Sequence, residues 1–325
     1  MYRPSKTTFI IQRRHILLLL SLALLILVAA RHHLHRLAEV ARTYATFYSY
    51  VSHHPETLYR YSSNTSHALV NHESVVPQII HQIFLTEGRN ASINKYAAAV
   101  ASCQDLHPTW KHKIWREEDA SSLIAHHYPD IWPHYRNYKQ SIQRANILRY
   151  ALLDHFGGVY LDLDVTCLQP LDHLRHLPWL TPGAYPAGVN NAFVLSKPNH
   201  SFARHLLNAV ESHDLVWGLP YVENMLSSGC MFFSNMWMSY VQMLSCKSKS
   251  GAATNGRDSV FILADENGNM DPHMLRGVVT TPLFKHGGAS SWHSWDAAAI
   301  VLIGKHYYFA FLLISLGTFL GSLAV

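Results

Sequence analysis

From Ser141 to Val165 the chain reads in order as a helix, a turn and a strand ending on two aspartates, and this run restricts the possible folds more than any other stretch. Ile142, Ala145, Leu148 and Leu152 recur at helical spacing, with Asn146 and Arg149 three apart on a shared face. Gly157-Gly158 stops such a helix and permits a tight turn. Val159, Leu161, Leu163 and Val165 then alternate with Tyr160, Asp162 and Asp164, the period of a strand. That alternation predicts one continuous strand with both carboxylates on the same face, about 7 Å apart. Upstream, Val75 to Phe84 is a β-rich run around Pro77, and Lys111 to Trp115 is a second short strand. Glu117-Glu118-Asp119 places acidic residues at the start of a helix running to His127, where the helix N-terminus favours them. Strands alternating with helices predict an α/β domain over 75–298, with a mixed, mostly parallel sheet and flanking helices.

The rest of the chain says where such a domain would sit. Lys and Arg number 26 against 21 Asp and Glu, a net charge of +5 with no long basic block, which excludes a nucleic-acid binder working by bulk charge. Apolar residues make up 49%, which excludes a disordered chain. Only 14% is charged, against about 25% in an ordinary soluble domain, and two tracts carry no charge at all. The first, 16–30, is bracketed by Arg13, Arg14 and Arg31 and is shorter than the roughly 20 residues of a comfortable span. We read it as an uncleaved signal anchor rather than a cleaved signal peptide, because Arg31 to Arg36 is a poor start for a mature protein. Residues 1–15 are then a cytosolic tail and 31–74 a stem that begins with an amphipathic helix. The second tract, 307–325, opens on a tyrosine pair after Lys305 and reads as another membrane helix. The middle of the chain is thereby sent into the secretory pathway, with which sequons at Asn64, Asn90 and Asn199 are compatible. Four cysteines, Cys103, Cys167, Cys230 and Cys246, allow two disulfides in three pairings, and the lack of a CxxC argues against a zinc ribbon.

Two carboxylates on one strand face are hard oxygen ligands suited to Mg²⁺ or Mn²⁺, with diphosphate oxygens completing the coordination. The metal would act as a Lewis acid toward a departing nucleoside diphosphate. Arg144 and Arg149 can add charge-assisted contacts to the same phosphates. A metal hydrolase usually gathers several histidines and carboxylates, and no such cluster is visible in the sequence.

Arg144 to Tyr150 followed by Gly157 to Asp164 resembles the signature of glycosyltransferase family 32, the DXD sugar transferases. The resemblance extends in order to Pro77 to Gln82, His107-Pro108, Trp110, Trp115, Asn199 to Phe202, Ser227 to Gly229, His286 and Ser290 to His293. Within the family the chain resembles the fungal inositol phosphorylceramide mannosyltransferase catalytic subunits. This resemblance implies a GT-A-like nucleotide-sugar-binding domain, GDP-mannose as donor, inositol phosphorylceramide as acceptor, Mn²⁺ or Mg²⁺, and retention of configuration. It also implies a lumenal catalytic domain in the Golgi membrane and a small membrane regulatory subunit as partner. Asp162 and Asp164 would be the catalytic pair and, with His286, the metal ligands. His81, Arg144, Asn146, Arg149, Asp162, Ser290 and Trp292 would bind the donor, and Asn190 and Asn191 the acceptor. No residue stands out as a general base.

Departures from the pattern bear on specificity. Asn146 stands where the family usually has Asp, keeping hydrogen-bonding capacity but losing the charge. Phe84 replaces a common Trp, Cys230 a common Pro, and Gly288 a frequent His. The alternatives are transfer of mannose or galactose to protein-linked glycans, or a non-catalytic regulatory relative, against which the intact Asp162 and Asp164 argue.

Overall fold

The computed structural model describes residues 6–61, 73–85, 92–184, 187–249, 256–270, 279–281, 283–287 and 295–305. The chain divides into two compact units, Met1–Arg42 and Thr43–Val325. The first unit carries most of helix α1 (Lys6–His53), whose side chains from Ile16 to Val28 are exposed. Among the described residues α1 is the one helix long and apolar enough to cross a membrane. The expected second span, 307–325, lies outside the described residues.

The second unit contains the strands β1 (Leu58–Arg60), β2 (Ile79–Ile83), β3 (Lys111–Trp115), β4 (Gly158–Leu161), β5 (Val165–Cys167), β6 (Trp179–Pro182), β7 (Phe193–Ser196), β8 (Phe261–Ala264), β9 (Val279–Thr280) and β10 (Phe284–His286). Its helices after α1 are α2 (Ala97–Leu106), α3 (Glu117–His127), α4 (Trp132–Asn137), α5 (Ser141–His155), α6 (Ser201–Asn208), α7 (Val210–His213), α8 (Pro220–Ser227), α9 (Cys230–Lys249) and α10 (Trp295–Lys305). A seven-stranded sheet runs in the order β1-β8-β6-β7-β4-β2-β3. Every pair in it is parallel except those made by β7, which runs against both β4 and β6. This is the mixed, mostly parallel sheet expected from the strand and helix pattern. A small second sheet, β5-β10-β9, is antiparallel.

Alternation along the strands sorts the core into two layers. Val159, Leu161, Leu180, Phe193 and Leu195 face one side, packed with Ile80, Cys103 and Leu174. Tyr160, Trp179 and Val194 face the other, against Leu148 and Leu152 of α5, Phe202 of α6 and Phe233 and Trp237 of α9. All four residues of β4 and of β7 are buried, as befits central strands covered on both faces.

Thr43–Tyr61, within the stretch expected to be a stem, belongs to the second unit. Phe47 and Val51 are 1% and 5% exposed, and Phe47 lies 5.8 Å ring to ring from Trp237. Thr43 donates to Asn235 Oδ1 at 2.7 Å, and β1 pairs with β8. Part of the stretch expected to be a stem is therefore core. Cysteine pairing is also settled among the described residues: Cys103 of α2 and Cys167 of β5 form a disulfide, while Cys230 and Cys246 are free. Two disulfides are therefore not formed.

Candidate metal and donor site

The strand expected from Val159 to Val165 breaks at Leu161. Asp162 N–H donates to Ala192 O at 2.8 Å, and Val165 N–H donates back to Asp162 O at 3.1 Å, closing a turn over Leu163-Asp164. The chain leaves the large sheet here and joins β10 of the small one through β5. Leu163 follows its apolar character into a pocket with Phe84 and Val100, which pulls the alternation out of register. The two aspartates are thus not one-face residues of a single strand but the two arms of a turn between sheets.

The turn brings them together with a third group. One ligand atom each from Asp162, Asp164 and His286 lies within 4.8 Å of the others. His286 ends β10 and pairs with Val165, and its Nε2 is 3.6 Å from Asp164 Oδ1. Gly287 N–H donates to Asp164 O at 2.8 Å. A Cβ at Gly287 would sit 3.1 Å from that oxygen, so the glycine lets β10 come close. Two carboxylates and an imidazole suit Mn²⁺ or Mg²⁺, whose opposite ligands stand about 4.2 Å apart. The donor types and their span fit a single divalent cation.

Arg149 reaches the same turn from α5 and is 2% exposed. Its Nη2 donates to Tyr160 Oη at 3.1 Å and to Asp162 Oδ1 at 2.9 Å, and its guanidinium lies 4.2 Å from the Tyr160 ring centroid. Tyr160 Oη in turn donates to Asp162 Oδ1 at 2.7 Å. Both protein donors fall on one carboxylate oxygen and fix the rotamer of Asp162. Loss of hydration pushes the Asp162 carboxyl above its usual range, with the Arg149 charge opposing that rise. Arg149 Nε and Nη1 are buried with no hydrogen-bond partner. Buried unsatisfied donors are costly unless a ligand oxygen meets them.

Behind Arg149 lies a buried polar cluster. Asn146 Nδ2 donates to Asn224 Oδ1 at 3.0 Å and to Ser228 Oγ at 3.3 Å, and its Oδ1 accepts from Asn191 Nδ2 at 3.4 Å. Asn191 also donates to Tyr150 Oη at 3.0 Å and accepts from the Cys230 thiol at 3.1 Å. Burial pushes that thiol up to about 11, so it stays protonated. Asn190 Oδ1 accepts from Ala192 N–H at 2.6 Å, and its buried Nδ2 has no partner.

Asp162, Asp164, His286 and Arg149 are therefore brought together, with Asn146, Asn190 and Asn191 alongside. His81 and Arg144 are not. His81 uses both ring nitrogens inside the fold, Nε2 donating to Gly157 O at 2.9 Å and Nδ1 accepting from Trp115 Nε1 at 3.1 Å. Burial lowers its pKa to about 4, which keeps the ring neutral. Arg144 donates to Tyr138 O at 3.0 Å and lies 3.5 Å from Glu117, tying α5 to α3. Ser290 and Trp292 lie outside the described residues. Tyr160, Tyr150, Asn224, Ser228 and Cys230 were missed as site residues. Tyr160 had a signal in sharing the Asp162 phase of the alternation, and Ser228 and Cys230 in falling within or beside a stretch that carries the family resemblance.

Residues 94–178 match a family model described as glycosyltransferase sugar-binding region containing DXD motif. The chain is similar to Inositol phosphoceramide mannosyltransferase 2 of Schizosaccharomyces pombe, at 32% identity over 73% of this chain and 64% of that one. It is similar to two Saccharomyces cerevisiae proteins, Mannosyl phosphorylinositol ceramide synthase CSH1 (31% identity, 71% of this chain and 57% of that one) and Mannosyl phosphorylinositol ceramide synthase SUR1 (37%, 51% and 43%). The chain spans less than two thirds of the length of each. Among solved structures, PaToxG Glycosyltransferase overlaps 54% of this chain and 74% of its own at 12% identity and a TM-score of 0.40, too loosely to locate a residue. The matched stretch contains Asp162-Leu163-Asp164, the DXD motif of that sugar-binding region, and both of its carboxylates converge on His286.

Proposed function

We propose that the chain is a retaining, metal-dependent hexosyltransferase that moves mannose from GDP-mannose to inositol phosphorylceramide in sphingolipid synthesis. The observation that carries this reading is the convergence of Asp162, Asp164 and His286 beside a buried Arg149 with two unpartnered N–H groups. The three residues would hold Mn²⁺ or Mg²⁺, which supplies charge neutralisation at a departing diphosphate. Arg149 Nε and Nη1 donate to diphosphate oxygens, a contact strengthened by charge and by exclusion of water. Tyr160 and the remaining Arg149 edge keep Asp162 oriented. Asn146 and Asn191 offer neutral hydrogen bonds to the transferred sugar or its acceptor, and Asn190 Nδ2 is a further donor toward the acceptor. His81 and Arg144 serve the donor indirectly, by holding the Gly157 turn and the start of α5. Ser290 and Trp292 are assigned to closure over the diphosphate. Mannose and the phosphoinositol ceramide acceptor are supported by the names of the relatives. The apolar stretch of α1 supports a type II anchor with residues 1–15 cytosolic, and we place the second unit in the Golgi lumen, with 307–325 as a second span and a small membrane subunit as partner.

Membranes holding the full chain, given labelled GDP-mannose, inositol phosphorylceramide and Mn²⁺, are expected to form a labelled mannosylated lipid. Asp164→Asn and chelation of divalent ions are each expected to cut the product by about 10²- to 10³-fold. Undiminished product from Asp164→Asn would refute the metal role. Wild type expressed together with its membrane subunit that makes no lipid product rules out this acceptor, and free mannose released in place of mannosylated lipid with the acceptor present rules out transfer.

A further inference from the structure

We propose that Val216, Leu219 and Trp295 form an edge beside the site that rests on the surface of a lipid bilayer, so that a lipid acceptor reaches Asp162 laterally with its tails still in the membrane. The proposal rests on the lipid-directed reading above and deepens it. Among the described residues of the second unit, the large apolar side chains most open to water are Trp295 at 71% and Val216 at 70%, with Tyr48, Leu168 and Leu219 less so. Hydrogen bonds around the start of α8 bring together the segments that carry Trp295, Val216 and Leu219. Tyr221 N–H donates to Asp296 Oδ2 at 2.6 Å, which pins the start of α8 to the start of α10. Leu219 is two residues from one end of that bond and Trp295 adjoins the other. Trp217 N–H donates to Glu223 Oε2 at 3.1 Å, and Glu223 N–H donates to Leu219 O at 2.8 Å, folding the Val216 loop onto the first turn of α8.

This place borders the site. The Tyr221 phenol is within electrostatic reach of both Asp296 and Cys230, and Cys230 is within reach of Arg149 and Asp162.

The chain itself indicates what covers the edge. α10 spans 11 residues and rises about 16 Å, and from Tyr307 onward 19 residues follow without a charge, the composition of a membrane span. If that tract enters a bilayer, α10 holds Trp295 no farther than about its own length from the lipid surface. Indole rings favour the membrane–water interface, where the ring is apolar and its N–H stays wet. A water-facing role would leave Trp295 and Val216 as exposed apolar surface.

The test uses the full chain in phosphatidylcholine vesicles whose acyl chains carry bromine near the head group, comparing wild type with Trp295→Phe. The Trp295 emission, read as the difference between the two, is expected to fall at least twofold with brominated lipid and to resist acrylamide. Val216→Ser with Leu219→Ser is expected to weaken the bromine quenching while a thermal melt stays unchanged. A Trp295 signal quenched by acrylamide and not by bromine overturns the proposal, because the edge then faces water. A signal quenched by neither also overturns it, because a protein partner or a second copy then covers the edge. The labelled-mannose assay separates the two readings: transfer with a water-facing Trp295 keeps the function and removes the edge, while bromine quenching without transfer does the reverse.

Discussion

Arg149 commits Nη2 to Tyr160 and Asp162 and holds Nε and Nη1, also buried, without a protein acceptor. A lysine keeps the charge but not the planar fork, so it cannot orient Asp162 and reach a ligand together. Arg149→Lys is expected to lower transfer about 100-fold and to destabilise the fold by about 3 kcal/mol, read by product formation and chemical denaturation. Tyr160→Phe removes the hydroxyl that donates to Asp162, and weaker Mn²⁺ affinity by about 10-fold is expected in a paramagnetic titration. His81 gives a pH signature. Burial lowers its pKa to about 4 from about 6.5, so between those values the unfolded chain binds a proton that the folded one refuses. The stability this contributes is complete above about pH 6.5 and is lost as pH falls toward 4, by about 3 kcal/mol. His81→Gln is expected to flatten denaturation midpoints measured across that window; an unchanged slope would assign the loss to another group. At this scale Asp162, Asp164 and Arg149 were legible in the sequence, because chemistry and period coincide there. Asn224 was not, since only the folding of α8 onto α5 gives it a partner.

Among the elements, the turn between α5 and β4 sets the position of the site. Gly157 and Gly158 have φ of 63° and 96°, and a Cβ on Gly158 would come within 2.6 Å of Ile79 O. Gly158→Ala is expected to cost at least about 2 kcal/mol and to spread β4 from β2, seen as a lower melting temperature and weaker Mn²⁺ binding. The Cys103–Cys167 bond ties α2 to β5, the strand that follows Asp164. Cys167→Ser is expected to remove about 2–5 kcal/mol in denaturant, and reductant should mimic it in wild type. The limits of α3 and α5 followed from local cues: acidic first-turn residues and the Gly-Gly stop. The end of β4 did not, because alternation continues through Val165 while the hydrogen-bond partners change from β7 to β10. The pairing of β1 with β8 had no local cue either, joining three residues near 60 to three near 262.

For the whole molecule, the boundary at Thr43 is a prediction about truncation. A chain starting at Thr43 keeps Phe47 and Val51 and is expected to stay folded. One starting at His54 loses both and bares Trp237, with a cost of at least about 3–5 kcal/mol and aggregation on gel filtration. The α/β class was visible from the sequence because helices and strands alternate along it, whereas the unit boundary was hidden by an unbroken α1. The reversed strand β7 has a wider consequence. It begins at Phe193, opposite the end of β4 at Leu161, so the connection from β6 to β7 delivers Asn190 and Asn191 to the edge that carries Asp162. That connection is a hairpin loop anchored at both ends by one sheet. Evolution could re-letter Asn190 and Asn191 or resize the loop before them while Ala192 O keeps its bond to Asp162 N–H, because the cation ligands come from the β4–β5 turn and from β10. Choice of acceptor and the chemistry of transfer would then be inherited separately, and relatives could diverge in what they modify while keeping how they do it.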